Sequence, residues 1–493
     1  MEQEQQELNE LLQVRRRKMD ALREKGIEPF GQKFEADHYS TDIVDNFDQL
    51  EGKEVTIAGR LISIRSHGKA AFAHLQDYQG KVQIYLRQDQ VGAEQYENFD
   101  LVDIGDFIGC VGEVFKTRKG EVTVNVREYV YLAKALRPLP EKWHGLKDVD
   151  LRYRQRYVDL IVNEEVRQTF INRSKIISTM RELLNGWGFL EMETPIMQTI
   201  AGGALARPFV THHNTLDMKL YLRIATELHL KRLLVGGLDK VYEIGRIFRN
   251  EGISTIHNPE FTSVEIYQNY ADYEDMMTIT ENLVHQIALK VFGTGKISFQ
   301  GREVDLTPPW PRETMIDIVR KYSGVDFSQI PDKEAAFDAA VKAGLEPDKG
   351  LPWGEILYMF FEEFCEVQLL DPIFVTDFPI EVSPLAKKLP SDPRLTLRFE
   401  GFIAGWEIAN AFTELNDPID QRERFEQQLG KRESGDDEAH VMDEDFINAL
   451  EHGMPPAGGL GIGIDRMVML LTDNVSIRDV ILFPTLKPLS GGE

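Results

Sequence analysis

The pattern of hydrophobic and polar positions changes character along the chain, and each change predicts a different kind of element. Between about residues 4 and 25, leucines recur at helical spacing among charged residues, which predicts an amphipathic helix ending near Gly26 and Pro29. From Glu54 to about Leu132 the pattern becomes five short β-like runs separated by turns. These runs predict a small closed barrel of the OB type, although another small barrel or sandwich fits the same periodicity.

The second part of the chain follows a proline-containing stretch, ALRPLPEKWHGLKDVD, which predicts a linker. A long amphipathic helix comes next and is expected to stop near Gly186. The region from about 311 to 368 is mostly helical by pattern, whereas 394–414 returns to strands. The glycine-rich segment GLGIGIDRMVMLLT predicts a strand that runs into a helix.

Composition narrows the class of protein. The 493 residues are 42% hydrophobic and 28% charged, which is ordinary for a soluble globular protein of several domains. No apolar run approaches the ~20 residues needed to span a membrane, and the first residues do not form a secretory signal. With only Cys110 and Cys365, a disulfide framework is excluded and a reducing, cytoplasmic location is expected. The net charge of −25 argues against a protein that coats nucleic acid, but it allows a local basic face.

The segment VYEIGRIFRNEGISTIHNPEFTSVEIYQ predicts two strands joined by a polar loop. Arg249 and Glu251 share one parity on the first strand, and Phe261 and Glu265 share one parity on the second. A guanidinium suits a phosphate because it donates two parallel hydrogen bonds, and an aromatic ring suits a nucleobase because both have flat faces. The alternative is a surface ion pair beside a phenylalanine of the core.

The glycine-rich strand near the C-terminus has a second set of unusual residues. Gly459, Gly461 and Gly463 remove side chains where a group must approach the backbone closely. Asp465 is expected to cap the next helix, which places Arg466 in its first turn. A cation there opposes the helix dipole, so a bound anion is expected. The alternative is a strand packed tightly on its helix.

Three glutamates, Glu400, Glu407 and Glu414, lie in the apolar run FEGFIAGWEIANAFTELND, which has no Lys or Arg. A hairpin turn at Ala404-Gly405 would place Glu400 opposite Ala409 and on the same face as Glu407. Glu414 has the other parity.

A bulge is predicted in this hairpin if all its polar residues meet one pair of ligands. Asn410, Phe412 and Glu414 would face away from Glu407 in a regular strand. A bulge between Glu407 and Asn410 would bring the two groups to one side, and an unbroken strand would contradict a shared site.

These segments resemble the class II aminoacyl-tRNA synthetases. The Arg249 hairpin resembles their motif 2, the strand before Arg466 their motif 3, and WGFLEMETPIM, with Pro195, their motif 1. The signatures HIGH, KMSKS and GxxxxGK[ST] are absent from the sequence. A barrel ahead of such a domain is similar to the subclass that charges Lys, Asp and Asn. The bacterial lysine-specific branch is the most similar, in KGIEPFGQKFEA, AGGALARPFVTHHN, ATELHLKRLL, EGISTIHNPEFTSVEIYQ and WEIANAFTELND.

The resemblance implies an α+β fold: an OB-type barrel followed by a class II catalytic domain, an antiparallel sheet flanked by helices. The expected organisation is a helical extension (1–50), an anticodon-binding OB domain (51–137), a linker (138–160) and a catalytic domain (161–493), with a mostly helical insertion around 311–380. The implied activity is ATP-dependent attachment of L-lysine to its tRNA through lysyl-adenylate, with Mg²⁺, in a homodimer. The alternatives are the aspartate or asparagine enzyme, a lysine ligase acting on a protein, and a catalytically inactive tRNA- or OB-type binding module.

The resemblance also implies residue roles. Arg249 and Arg466 would be catalytic, and Glu400 and Glu407 would hold Mg²⁺. The expected ATP-binding residues are Arg249, Glu251, His257, Asn258, Phe261, Glu400, Glu407 and Arg466. The expected lysine-binding residues are Gly203, Glu227, Arg249, Glu265, Tyr267, Asn410, Phe412 and Glu414. Phe72 and Gln83 would contact the anticodon.

Three of these residues also have ordinary structural explanations. Glu227 suits the first turn of a helix capped by Thr226, and His257 is an ordinary histidine of an exposed loop. Phe72 fits the barrel core as well as a base-stacking position.

Overall fold

The protein, represented by a computed structural model, divides into two compact units, Met1–Lys147 and Asp148–Glu493. The structure describes residues 2–140, 148–433 and 441–488. Part of the predicted linker, residues 141–147, lies outside these ranges. No helix in the described ranges is long and apolar enough to cross a bilayer.

The first unit contains a closed barrel of five strands in the order β1-β2-β3-β5-β4, which confirms the barrel prediction. The strands are β1 Glu54–His67, β2 Ala70–Gln76, β3 Lys81–Arg87, β4 Phe107–Lys116 and β5 Val122–Ala133. The helices are α1 Glu2–Glu24, which confirms the predicted first helix, α2 Ser40–Asp45, α3 Phe47–Leu50, α4 Gln88–Val91 and α5 Ala93–Asn98.

The alternation of side chains along the barrel strands decides which residues form its core. On β2, Ala71, Ala73 and Leu75 are buried in the core, so Phe72 and His74 point to the outer face. Phe72 is therefore not a residue of the barrel core.

The second unit is built on a sheet of eight strands in the order β14-β15-β18-β19-β20-β11-β10-β6. Its central pairs are antiparallel, and the outer pairs β14–β15 and β6–β10 are parallel. Helices α8 and α10 cover one face, where their apolar side chains form the largest core of the unit with β11, β18, β19 and β20.

Helices and short strands connect the strands of this sheet. The strands are β6 Leu190–Glu191, β7 Met197–Gln198, β8 Val210–His213, β9 Met218–Leu222, β10 Lys240–Phe248, β11 Glu260–Asn269, β12 Lys296–Phe299, β13 Arg302–Asp305, β14 Arg312–Thr314, β15 Ile373–Thr376, β16 Lys388–Leu389, β17 Asp392–Thr396, β18 Arg398–Ile403, β19 Trp406–Thr413 and β20 Ala457–Gly463. The helices are α6 Val149–Arg154, α7 Arg156–Val162, α8 Glu164–Gly186, α9 Glu227–Val235, α10 Tyr273–Phe292, α11 Met315–Ser323, α12 Lys333–Lys342, α13 Trp353–Phe364, α14 Pro418–Glu433, α15 Glu444–Glu451, α16 Ile464–Leu471 and α17 Ile477–Val480.

The boundary of the predicted linker differs from the sequence-based expectation. The predicted linker 138–160 is too long, because α6 and most of α7 fall within it and belong to the second unit. Arg156 shows why: its buried guanidinium pairs with Asp159 and donates to the backbone carbonyl of Arg478 at 2.7 Å. The motif-1-like segment FLEMETPIM forms only the short strand β6 and the start of β7.

The helical insertion after residue 311 is present as α11, α12 and α13, which share a hydrophobic core of their own. Phe327, Phe360 and Phe361 are among its fully buried side chains. One residue of α13, Tyr358, packs against this core and also lines the cavity described below.

Candidate active site

A cavity of about 480 Å³ opens on the middle strands of the eight-stranded sheet. It brings together residues from distant parts of the second unit. The predicted site residues that line it are Gly203, Glu227, Arg249, Glu251, His257, Asn258, Phe261, Glu265, Tyr267, Glu400, Glu407, Asn410, Phe412 and Arg466. The exception is Glu414, which is fully buried behind the cavity wall.

A bulge in β19 places the acidic and amide side chains of this strand on one side. The turn is at Ala404-Gly405, as predicted, and both residues have positive φ, as a tight hairpin turn requires. Phe402 pairs with Glu407, but Gly401 pairs with Ala409, so the register shifts at this point.

The bulge also corrects the predicted pairing of Glu400. Glu400 lies opposite Asn410, and the prediction that it faces Ala409 is wrong by one residue. The extra residue is Ile408, and it reverses the parity of everything that follows. Glu407, Asn410 and Phe412 therefore line the same cavity, which confirms the predicted bulge.

Arg249 lies just beyond the end of β10, and its guanidinium is enclosed by the cavity. Its Cζ atom lies 5.3 Å from the centre of the Phe261 ring. Burial lowers the pKa of Arg249, while the nearby Glu251, Glu407 and Glu265 act in the opposite direction. Its Nε is buried and has no hydrogen-bond partner among the residues that the structure describes. A buried cation with an unused donor is suited to an anionic ligand.

Arg466 lies in the first turn of α16, as predicted, and is held by Glu407. Its Nη1 donates to the Glu407 backbone oxygen at 2.6 Å and to Glu407 Oε2 at 2.9 Å. Its Nη2 lies 3.3 Å from Nε2 of His257. In this arrangement Glu407 and Arg466 neutralise each other at one end of the cavity.

Asp465 does not cap the helix, and that prediction is wrong. The cap position is Gly463, and Asp465 lies inside the first turn. Its carboxylate instead accepts from the Thr262 backbone N–H at 2.6 Å and pairs with Arg173 at 2.6 Å. Asp465 thus ties α16 to β11 and α8, which fixes the position of Arg466.

Arg398 and Ser383, which the sequence analysis did not single out, support Glu400 and Asn410. Arg398 donates to Glu400 Oε1 at 2.6 Å, to Asn410 Oδ1 at 3.1 Å and to Ser383 Oγ at 2.9 Å. Burial raises the pKa of Glu400 to about 8; Arg398 opposes this, whereas Glu407 adds to it.

Glu265 and Tyr267 form the opposite end of the cavity. Glu265 accepts from the Thr226 backbone N–H at 2.9 Å and from the Tyr267 hydroxyl at 3.1 Å. Burial raises the pKa of Glu265 to about 7, although these two hydrogen bonds lower it. The side chain of Thr226 makes no capping hydrogen bond to α9, so its predicted capping role is wrong.

Glu227 and Glu414 share a cation that belongs to the protein. Lys231, one turn after Glu227 on α9, donates to Glu227 Oε1 at 2.6 Å and forms an ion pair with Glu414. The side chains of Lys231 and Glu414 are fully buried. Glu227 is therefore more than a favourable acid at the start of a helix.

Glycines at this end of the cavity avoid side chains that would collide with the residues of the site. A Cβ on Gly459 would collide with the Glu414 carboxylate and the Tyr267 ring. At Gly461 the nearest atom to such a Cβ would be 3.8 Å away, an ordinary van der Waals contact. Gly203 has φ +89°, a conformation that favours glycine.

Two predicted residues of the loop after β10, His257 and Asn258, have hydrogen-bond partners close to them in sequence. Nδ1 of His257 lies 2.9 Å from Ser254 Oγ, and Asn258 Nδ2 donates to the Glu260 backbone oxygen at 2.6 Å. Asn258 Oδ1 is buried without a partner in the described part of the chain. This loop forms the rim of the cavity beside Phe261.

The cavity offers oxygen ligands for a divalent cation. Glu400 and Glu407 line it, and the pKa of nearby Glu366 is raised to about 7 by burial and by Glu362 and Glu407. Burial is the main cause of this rise, and the two neighbouring carboxylates add to it; a hard cation would relieve their repulsion. In the described ranges no group of three or more His, Cys, Asp or Glu side chains could hold a metal ion by itself. These carboxylates therefore fit Mg²⁺ only if a ligand supplies further oxygens.

The outer face of the barrel contains a separate polar and aromatic patch. Phe72 stacks on Tyr85 with ring centroids 4.3 Å apart. Gln83 donates to Glu121 at 2.8 Å and accepts from the Thr123 hydroxyl at 2.9 Å. The sequence analysis proposed Phe72 and Gln83 but missed Glu121 and Tyr85. Alternation along β3 could have indicated Tyr85, whereas Glu121 lies just before β5 and gives no such signal.

Comparison with known proteins places this geometry in a family. Residues 148–487, more than half of the chain, match the family model described as tRNA synthetases class II (D, K and N). The chain belongs to the class II tRNA synthetases. Residues 55–132 of this synthetase match the model of an OB-fold nucleic acid binding domain, which confirms the OB type of the barrel. The fold predicted from the sequence is thus confirmed for both parts.

Relatives of this synthetase are similar over almost their whole length. Proteins named Lysine--tRNA ligase share 61% identity with it in Moorella thermoacetica, over 97% of this chain and 98% of the relative. The corresponding protein of Carboxydothermus hydrogenoformans shares 62% identity over 98% and 99% of the two chains. That of Bacillus subtilis (strain 168) shares 58% over 98% of both.

Proposed function

We propose that this synthetase activates L-lysine with ATP and transfers the lysyl group to its cognate tRNA. The observation that carries the proposal is the charge pattern of the cavity. Two carboxylates, Glu227 and Glu265, line one end, with Glu414 buried behind them, and the partly buried Arg249 lines another part of the cavity with an unused donor. A ligand with two ammonium groups and one carboxylate matches this pattern.

Lysine recognition rests on the acidic end. An ε-ammonium has three donors and no acceptor, so burying it requires acceptors with negative charge. Glu265, Tyr267 and Glu414 would receive it, and Glu227 with the backbone around Gly203 would receive the α-ammonium. Asn410 and Phe412 would line the aliphatic part. The cation of Lys231 is already paired with two acids, so this end is unsuited to the carboxylate of aspartate.

The nucleotide would occupy the rest of the cavity. Phe261 offers a ring for adenine, and Asn258 and Glu251 lie on the same rim. Arg466 and His257 lie where the outer phosphates would be placed. Glu400 and Glu407 would hold Mg²⁺, which when bound neutralises phosphate charge.

The first chemical step would be attack by the lysine carboxylate on the α-phosphorus of ATP. A bond forms between a carboxylate oxygen and phosphorus, and the bond to the pyrophosphate oxygen breaks. Arg249 would contact both anions, reducing their repulsion and stabilising charge that develops in the transition state. A hydroxyl at the tRNA 3′ end would then attack the lysyl carbonyl and release AMP. No side-chain nucleophile is needed.

Amino-acid-dependent exchange between pyrophosphate and ATP, run with all the standard amino acids, tests the proposed activation. We expect exchange with lysine and none with aspartate or asparagine. Exchange with aspartate and none with lysine would overturn the proposal in favour of the sister activity.

The pH dependence of lysine binding follows from Glu265. Because burial raises its pKa to about 7, the free enzyme holds a proton there at lower pH, while the bound ammonium needs the ionised form. We expect the KM for lysine to be flat above about pH 8 and to rise up to tenfold per pH unit below about pH 7. Exchange kinetics at several pH values would check this, and a KM for lysine that stays constant through neutral pH would contradict it.

The barrel would bind the anticodon through its outer face. Changing Phe72 to Ala should raise the KM for tRNA roughly 5- to 150-fold, because a stacked base contributes about 1–3 kcal/mol. Lysine-dependent pyrophosphate exchange should not change. Tyr78→Ala, which alters an exposed aromatic residue of the same barrel, is the control. Equal tRNA kinetics in the two variants would exclude Phe72 from the contact.

We also propose that the synthetase is a homodimer that acts in the cytoplasm. Exposed apolar side chains lie on and near β6, β7 and β8: Leu190, Ile196, Met197, Val210 and Leu216. Apolar side chains exposed together in this way favour a protein interface. Both cysteines are free and buried, which fits a reducing compartment.

A further inference from the structure

Lys231 is a buried ion that the proposed mechanism does not use. Its side chain has no exposed surface, and it lies on α9 between two rings, 5.4 Å from Phe412 and 6.0 Å from Phe446. A buried ammonium is costly unless it is paired. Here it is paired twice, with Glu227 and Glu414.

Several elements pack around Lys231, and most of them carry a charged group. Helix α9 itself contributes Glu227, the segment after β19 contributes Glu414, and β11 contributes Glu265. Strand β10, which packs on α9, carries Glu243, and this carboxylate is paired with Arg223. From β18, Arg398 also acts on Glu227. Helix α15 contributes the apolar ring of Phe446.

The count of charges at this end matches one ligand class. The three carboxylates carry three negative charges when ionised, and Lys231 carries one positive charge. Two negative charges remain, and L-lysine brings two ammonium groups. The positive charge of Arg249 is then available to pair with the carboxylate of L-lysine.

We propose that Lys231 is a positioning residue that serves as the fixed counter-charge of the lysine site: it keeps Glu414 and Glu227 ionised and aligned, so that the site accepts two ammonium groups and no more. This inference rests on the proposed function and deepens it, since it concerns the specificity of the same site.

Lys231 shifts the pKa of Glu227 and of Glu414 in the direction that this role requires, against the larger effect of burial, which raises both. Burial opposes the charged form of Lys231, but Glu227 and Glu414 outweigh it, so its pKa lies above its ordinary value. Burial raises the pKa of Glu414, and Lys231 acts in the opposite direction. Without the ammonium, one of the two carboxylates would hold a proton in the empty site.

Calorimetry of lysine binding to the full-length protein, in two buffers of different ionisation enthalpy, tests the role because it counts protons. Lys231→Met should release about one more proton per lysine than the parent, since the entering ammonium displaces the proton from the carboxylate. It should also bind lysine at least about tenfold more weakly, because each pKa unit above the assay pH costs a factor of ten. The KM for ATP should stay unchanged, whereas a general structural defect would alter it as well.

Three further variants make the result specific. Lys231→Arg retains the charge and should release as many protons as the parent. Lys231→Met combined with Glu414→Gln removes both halves of the pair and should also return to the parental count. Lys231→Gln, which retains a donor to Glu227 without charge, replaces Lys231→Met if that variant does not fold, with the same expectation.

Two outcomes separate this inference from the proposed function. If the parent binds lysine and Lys231→Met or Lys231→Gln releases no extra proton, the counter-charge role is wrong although the function stands. If the parent itself does not bind lysine, the proposed function fails first.

Discussion

Replacing Arg249 with methionine is expected to lower the rate of lysine-dependent pyrophosphate exchange by about 10³-fold. Arg249 is the partly buried cation whose buried Nε has no partner among the described residues, and its guanidinium lies 5.3 Å from the centre of the Phe261 ring. We propose that it contacts the two anions that react, so its loss removes stabilisation of charge that develops in the transition state. Because this charge is greatest in the transition state, kcat should fall more than either KM rises.

Two further variants test whether the effect belongs to the guanidinium. Arg249→Lys retains the charge but loses the fork of parallel donors, so an intermediate rate is expected. Arg246→Met alters a half-exposed arginine on β10 that lies 3.6 Å from Glu260, and it should change the rate by less than about twofold. If Arg249→Met reacts as fast as Arg246→Met, Arg249 has no part in the chemistry.

Replacing Glu265 with glutamine is expected to raise the KM for lysine by at least about 30-fold, because truncating one partner of a buried charge pair costs 2–5 kcal/mol. The KM for ATP should change little, since Glu265 is hydrogen-bonded to Thr226 and Tyr267, whereas Arg466 contacts Glu407 and His257. The rise in the lysine KM below neutral pH should also disappear, because the group that titrates is gone. Exchange kinetics at several pH values measure all three effects.

The stability of the ligand-free variant gives an independent check on Glu265. Its raised pKa means that the protonated form suits the folded protein, so stability is lost as pH rises from the ordinary value towards 7. Glutamine resembles the protonated form. At pH 8 Glu265→Gln should therefore be more stable than the parent, by as much as about 3 kcal/mol.

Glu260 on the same strand provides the matched control. Glu260→Gln alters an exposed acid of β11 and should leave the lysine KM, its pH dependence and the stability nearly unchanged. A Glu265→Gln variant that binds lysine as tightly as Glu260→Gln would remove Glu265 from the lysine site.

The parts of the site that are local in sequence could be predicted from it. The hairpin of β10 and β11 and the glycine-rich β20 each place several chemical groups within a few residues, so parity alone indicates a shared face. The bulge in β19 could also be predicted, because Glu407 and Asn410 could not otherwise meet one cavity. Its effect on the pairing of Glu400 could not, since periodicity does not show which residue is extra.

The parts that depend on tertiary packing could not be predicted. Arg398 and Lys231 occur in apolar segments where a cation resembles an ordinary exposed residue, and two of their partners, Asn410 and Glu414, come from other segments of the chain. Tyr358 reaches the cavity from the helical insertion. Asp465 was predicted to be a helix cap because the sequence does not show that Thr262 and Arg173 bind its carboxylate.

The central claim is that the cavity selects lysine and that the enzyme passes it to tRNA. Acylation of unfractionated tRNA, with each labelled amino acid offered in turn, tests both parts in one measurement. The account predicts that lysine alone is attached, to tRNA whose anticodon reads lysine codons. Attachment of aspartate or asparagine, or of no amino acid at all, would contradict it.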